Sequence, residues 1–291
     1  MSRVNLITGA SGFIGRRLST LLEQRGETCV HVDRDHGFDL AVPGWSQRLP
    51  DARIDAVFHL AQSRRYREFP DGTADMTGVN LTATAELLDW SRRHGVQTFV
   101  QTSTGTVYEP SLEPLTETSP CAAVSFYAAT KRAAELLAEP YAAYFQVVLP
   151  RLFGVYGAGA RNTLLANMVD RVATGKPITL TGGVGIYLTP IYVEDCVDVL
   201  AALADGRLER RFEVTNVAGE ERLSLTEMVQ EIGRQLGREP NATSTPGTPP
   251  SLCADISRLR AIYGRTFTPF VAGLGQTLNC DPAANRDRAA A

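Results

Sequence analysis

Tyr127 and Lys131 stand four residues apart in "SFYAATK", at the start of a helical pattern. A helix brings residues at that spacing onto one face. A lone tyrosine, with a pKa of about 10, carries protons poorly at neutral pH, and a nearby ammonium favours the phenolate and lowers that value. Such a pair can exchange a proton with a hydroxyl or carbonyl while a nicotinamide exchanges hydride. Tyrosine and lysine also meet at this spacing on ordinary helix surfaces, so the pair gains meaning only in company. Thr104, in "TSTGTVY" at the end of an expected strand, offers a second hydroxyl to the same substrate oxygen.

The company lies upstream. In "ITGASGFIG", Gly9, Gly12 and Gly15 are spaced G-x-x-G-x-x-G between a strand and a helix. Glycines there permit a tight turn and let a pyrophosphate approach the backbone at the helix N-terminus. Glycine-rich turns also serve simple chain reversal. Asp33 ends the second expected strand, at the spacing where an acidic residue accepts hydrogen bonds from an adenosine ribose. Its charge suits a free 2′-hydroxyl and repels a 2′-phosphate, which favours NAD over NADP. Arg34 beside it keeps a phosphate-bearing cofactor open, and Asp33 has the plainer reading of a residue that starts a turn. Phe13 and Ile14 in the loop, Asp39 and Leu40 at the adenine, and Leu60 and Ala61 in "HLAQ" complete the expected cofactor contacts. His59 reads as a structural histidine packed at a strand end.

These residues need a scaffold. The apolar runs "VNLIT", "TCVHV", "DAVFHLA", "TFVQTS" and "QVVLPRL" alternate with helical periodicity, which predicts a parallel sheet with helices on both faces. Ile14, Leu18, Leu21 and Leu22 mark the first helix, stopped by Gly26, and "NLTATAELLDWSRRHG" and "YAATKRAAELLAEPYAAY" supply two more. Beyond Pro150 the sequence becomes rich in Gly, Thr and aromatics around a helix-like "TLLANMVDRVATG". Strand and helix patterns return at "PIYVEDCVDVLAALAD", and a Pro-rich "TSTPGTPPS" follows further on.

Composition narrows the function class. The 291 residues are 44% hydrophobic and 21% charged, as in soluble globular proteins. A net charge of −3 makes nucleic acid an unexpected partner. Five scattered cysteines show no metal-ligand spacing, so no metal and no disulfide framework is expected. A strand begins almost at once and no apolar run approaches a membrane span, so the expected setting is cytoplasmic, away from membranes.

Taken together, "TGASGFIG", "HLAQ", "VNLTAT", "TSTGTVY", "YAATK", "PRLFGVYG", "PIYVED" and "ADISRLRAIYG", in that order over residues 3 to 278, resemble the extended short-chain dehydrogenase/reductases. That group comprises nucleotide-sugar epimerases, dehydratases and ketoreductases. The resemblance implies an α/β fold, a doubly wound parallel Rossmann sheet with a smaller C-terminal substrate domain. Residues 1–150, rejoined by about 190–235, would bind NAD. Residues 151–189 and 236–278 would bind substrate, leaving 279–291 as a flexible tail. It also implies Tyr127 as acid/base, Lys131 as its electrostatic partner and ribose ligand, Thr104 as the hydrogen-bonding hydroxyl and Asn80 as an organiser near the cofactor. Members commonly form homodimers through the two central helices.

Departures from the family bear on the reaction. Dehydratases carry an Asp-Glu pair immediately after the catalytic Thr, where this chain has Gly105 and Thr106. An Arg that grips the substrate diphosphate aligns with Leu188, and a frequent Asn aligns with Gly154. Arg64, Thr106, Arg161 and Asn162 are the expected substrate contacts in their place, with Tyr66 also within reach. The expected activity is NAD-dependent epimerisation of a sugar, nucleotide-linked, through a transient ketone. A sugar dehydrogenase or 4-ketoreductase uses the same three side chains, and a non-catalytic dinucleotide sensor needs only the glycine loop.

Overall fold

The chain is described by a computed structural model covering residues 2–205 and 208–280. Its first half runs β1 (Val4–Thr8), α1 (Gly15–Gln24), β2 (Thr28–Val32), β3 (Ala56–His59), α2 (Thr73–Thr77), one π-helical turn (Gly78–Thr82) and α3 (Ala83–Arg93). Next come β4 (Thr98–Gln101), β5 (Ser103–Thr104), α4 (Phe126–Ala138), β6 (Gln146–Leu152), β7 (Val155–Tyr156), α5 (Leu164–Ala173) and β8 (Ile178–Thr181). The rest comprises β9 (Tyr187–Leu188), β10 (Ile191–Tyr192), α6 (Val193–Ala204), β11 (Phe212–Val217), β12 (Leu223–Ser224), α7 (Leu225–Leu236), β13 (Ala242–Thr245), β14 (Ser251–Leu252), α8 (Ser257–Tyr263) and α9 (Phe270–Cys280).

The five apolar runs all become strands of one sheet, ordered β11-β6-β4-β3-β1-β2, with β5 beside β6 and every pairing parallel. Side chains alternate across a strand, and here both faces are buried. Leu6, Val57, Phe99 and Val147 join one cluster with Leu87 and Leu88 of α3 and Ala138 of α4. Their neighbours Ile7, Phe58, Val100 and Val148 join the opposite cluster with Leu18 and Leu22 of α1 and Val197 and Leu200 of α6. Each large side chain so buried contributes about 1.5–3 kcal/mol. This is the doubly wound arrangement, and it fixes the C-terminal ends of the strands as a common rim.

Past β6 the chain builds smaller sheets: β7 with β10, β8 with β13, and β9 between β12 and β14. A third core joins Tyr156, Leu165 and Met168 to Leu225, Met228, Val229 and Ile232 of α7. So α6 and β11 return to the large sheet, whereas α7 packs with the smaller ones. The Pro-rich stretch begins within β13, which pairs in parallel with β8. α9 runs to Cys280, so the expected tail starts within a helix, and its residues 281–291 lie outside the described ones. Among the described residues, no helix is long and apolar enough to cross a membrane.

Candidate active site

The glycine loop turns where β1 meets α1. Gly9 has φ +70° and its N–H bonds to Val32 O at 3.0 Å, so the loop is tied to the end of β2. A Cβ at Gly15 would stand 2.2 Å from Gly9 O, and one at Gly9 would stand 3.1 Å from Ala61 Cα. Any side chain at position 15 therefore breaks the turn. No side chain caps α1, and among the described residues the N–H groups of Phe13 and Ile14 have no acceptor. Free N–H groups at a helix start form a site for an anion such as pyrophosphate.

Asp33 lies directly beyond β2 and is buried, with its carboxylate accepting Ser11 N–H at 2.6 Å and His36 Nδ1 at 2.7 Å. It also caps the short helical turn that follows, so the turn and the ribose readings describe one residue. Burial works to raise its pKa, but the hydrogen bonds from His36 and Ser11 prevail and hold it below the usual carboxylate range. Arg34 is paired with Asp39 at 3.2 Å and Asp75 at 3.7 Å, which leaves its guanidinium engaged by carboxylates instead of open to a 2′-phosphate. Leu40 is packed in the core and offers little surface to an adenine ring.

His59 is structural, as its sequence position suggested: it is buried between Thr8 Oγ1 at 2.7 Å and Thr84 Oγ1 at 2.9 Å. Burial, with the Lys131 charge, brings its pKa down to about 3, so it stays neutral. Asn80 sits in the π turn. Its amide accepts Ser63 N–H at 3.0 Å and donates to Thr130 Oγ1 at 3.0 Å, bridging the loop after β3 to α4.

Ser125 caps α4 through Ala128 N–H and sets Tyr127 and Lys131 in its first turns. Lys131 is buried at 5% exposure, and among the described residues its ammonium has no hydrogen-bond partner. Burial brings its pKa down to about 8, and Glu135, one turn along, pulls the other way. Among the described residues, Lys131 is thus a buried cation without a hydrogen-bond partner, one helical turn beyond Tyr127.

Tyr127 departs from expectation. Its phenol donates to Gln62 Oε1 at 3.0 Å instead of meeting Lys131, and its ring lies 5.3 Å from that of Tyr66. Burial raises its pKa well above the ordinary value, Tyr66 adds to the rise, and Thr104 offsets part of it. In this structure the expected lowering by Lys131 is absent, because desolvation dominates and the ammonium makes no bond to the phenol. The Thr104 hydroxyl is 3.1 Å from that of Thr106 and accepts the Thr106 N–H at 3.2 Å.

Tyr66 also donates to the Asn162 carbonyl at 3.1 Å, joining the loop after β3 to the loop before α5. Asn162 has φ 58°, a left-handed conformation that asparagine tolerates. Arg64 and Arg161 are exposed, and among the described residues neither is in an ion pair. One group of possible metal ligands, Glu23, Cys29 and His31, lies within 4.8 Å of one another. Burial and the charges of Glu23 and Glu27 push the Cys29 thiol up to about 12.

With this geometry in hand, comparison with known proteins is decisive for the family. The profile of the NAD dependent epimerase/dehydratase family matches residues 5–218. The chain belongs to that family. It is accordingly an NAD-dependent enzyme, and the glycine loop, Asp33 and the engaged Arg34 suit that cofactor. An uncharacterized UDP-glucose epimerase of Bacillus subtilis strain 168, YtcB, is 28% identical over 287 residues, covering 88% of this chain and 90% of that protein. The structure of MoeE5 in complex with UDP-glucuronic acid and NAD is 27% identical, with a TM-score of 0.81 and full coverage of both chains. The UDP-glucose 4-epimerase of Thermus thermophilus, in complex with NAD, is 26% identical, with a TM-score of 0.80 over 95% of this chain and 98% of that one.

Proposed function

We propose that this family member is an epimerase acting on a nucleotide-linked sugar through a transient ketone. The observation that carries the reading is the placement of Tyr127 and the buried Lys131 one turn apart on α4, with Thr104 at the end of β5 beside the phenol, in a fold whose glycine loop suits a dinucleotide. Bound NAD would supply the hydride acceptor and donor for the sugar carbon, and the residues here would handle the proton. Tyr127 Oη takes the alcohol proton and later gives it back to the ketone oxygen. Thr104 hydrogen-bonds that oxygen, Lys131 stabilises the phenolate and binds ribose, and Asp33 holds the adenosine ribose. We assign NAD binding to the large sheet and sugar binding to segments 151–189 and 236–278, with Arg64, Thr106, Arg161 and Asn162 as sugar or nucleotide contacts.

Dehydration fits this site poorly. A Cβ at Gly105 would stand 2.5 Å from the Phe153 ring, so the acidic residue that dehydratases carry there has no room. Leu188 is buried in the third core, which removes the usual diphosphate cation from that point and favours Arg64 and Arg161 as replacements.

The test is a screen of UDP-, dTDP-, GDP- and CDP-sugars against purified protein with its bound dinucleotide. One sugar should give its epimer, with transient absorbance of the reduced nicotinamide. A dinucleotide that no sugar reduces would return the sensor reading to the front.

We also propose a homodimer built on α3 and α4. Leu136, Leu137 and the nearby Tyr144 are exposed at 53%, 41% and 61%, an apolar stripe on the outward side of this helix pair. Sedimentation should show a dimer that Leu136→Arg with Leu137→Arg converts to monomer; a wild-type monomer at micromolar concentration would remove the proposal.

A further inference from the structure

We propose that Gln62 is a further catalytic residue, whose side-chain amide turns over to serve Tyr127 in both of its protonation states. This rests on Tyr127 being the acid/base of the reaction. The starting point is the hydrogen bond from Tyr127 Oη to Gln62 Oε1 at 3.0 Å. The phenol ring is held for that contact by Tyr66, which is itself fixed by the Asn162 carbonyl at 3.1 Å and by the Arg67 guanidinium 5.2 Å over its ring.

The neutral phenol needs an acceptor, which Oε1 supplies. Once the proton is transferred, Tyr127 Oη can only accept, and it then needs a donor. Among the described residues, Lys131 makes no hydrogen bond to this oxygen, and the Thr104 hydroxyl, which also acts on the phenol, is shared with Thr106 and assigned to the substrate oxygen. The Gln62 Nε2 group carries two donors on the same planar head. Half a turn about the last side-chain torsion, which is soft for a terminal amide, presents them to Oη. Gln62 is exposed, and among the described residues its amide has no partner except Tyr127, so nothing resists that turn.

The proton balance is simple. When the sugar alcohol is oxidised, its O–H bond breaks and a new O–H bond forms on Tyr127, while the amide turns from donating to accepting. In the return step the phenol gives the proton to the ketone oxygen as the carbon regains hydride, and the amide turns back. No proton passes to Gln62. Hydrogen bonds to a charged oxygen are stronger than those to a neutral one, so the exchange favours the phenolate overall.

The test is a titration of NAD-loaded protein, following the ultraviolet phenolate signal that is absent from Tyr127→Phe. In Gln62→Met, similar in length but without an amide, the midpoint should rise by about one pH unit. In Gln62→Glu, which can accept but not donate when ionised, it should rise further. For a sugar found by the screen, kcat at neutral pH should fall about tenfold for Gln62→Met, with KM little changed and the rising limb of the pH profile displaced equally. Folding of each variant is checked by its thermal midpoint. Unchanged phenolate midpoints in both folded variants would overturn the role of Gln62. If no sugar is turned over by the wild type, the epimerase reading fails, while the titration still decides this one.

Discussion

Tyr127→Phe loses at least about 100-fold in turnover, the lower end of what a positioned proton-transfer group supplies. The substitution removes one oxygen and leaves the ring, so packing against Tyr66 at 5.3 Å persists and α4 keeps its Ser125 cap. What disappears is the group proposed to exchange the sugar proton, together with its bond to Gln62. Thr104 cannot stand in, since a threonine hydroxyl is a far weaker acid than a phenol. NAD affinity, measured by fluorescence titration, stays close to wild type because the proposed pyrophosphate and adenosine contacts lie at the glycine loop and Asp33. Near-normal turnover in the variant would remove Tyr127 from the chemistry altogether.

Glu135→Ala should cost about 3–5 kcal/mol of stability, because it strands a buried guanidinium. Arg151, only 3% exposed, donates to Glu135 from Nε at 2.9 Å and Nη2 at 2.7 Å, and Arg132 adds a third bond at 2.7 Å. Set against a typical stability of about 5–15 kcal/mol, the loss is large. Urea unfolding measures it as a lowered midpoint, and Arg151→Met added to Glu135→Leu should restore much of the loss, since a well-packed apolar pair removes the stranded charge. An unchanged midpoint in Glu135→Ala would show that water reaches Arg151.

The sign of the pH dependence is also fixed. Burial works to raise the Glu135 pKa, but Arg151, Ser103 and Arg132 prevail and hold it below the ordinary value of 4.5. The pair therefore contributes stability above pH 4.5 that is lost as pH falls through the lowered value, and Glu135→Ala lacks that component. The same carboxylate supports the charge on Lys131, so its removal should also make that ammonium easier to deprotonate.

How far the sequence could be read depended on whether the signal was local. Apolar runs bounded by turn residues marked the strands of the large sheet, because period and length alone identify a buried parallel strand. Gly9, Gly12, Gly15 and Asp33 were legible for the same reason, being tied to one βαβ unit. Gln62 was not: the bond to Tyr127 joins residues 65 positions apart, and an exposed loop glutamine carries no pattern of its own. The Tyr66 link to Asn162 is longer still. The helix that carries Tyr127 and Lys131 was legible from local pattern, but burial, which governs both pKa values, depends on the assembled fold. β13 was hidden by prolines nearby and by four exposed residues with no apolar alternation.

The π-helical turn at Gly78–Thr82 sets a limit on how this chain can change in length. One residue more than an α-helix needs is accommodated there, which turns Asn80 inward and lets α2 and α3 meet different partners. Deleting a residue would restore the regular pitch and swing α2 by about 100° relative to α3. Asp75 would then leave both Ser63 and Arg34. A single missing codon in this turn would thus loosen the segment around Arg34 and the loop bearing Gln62 together.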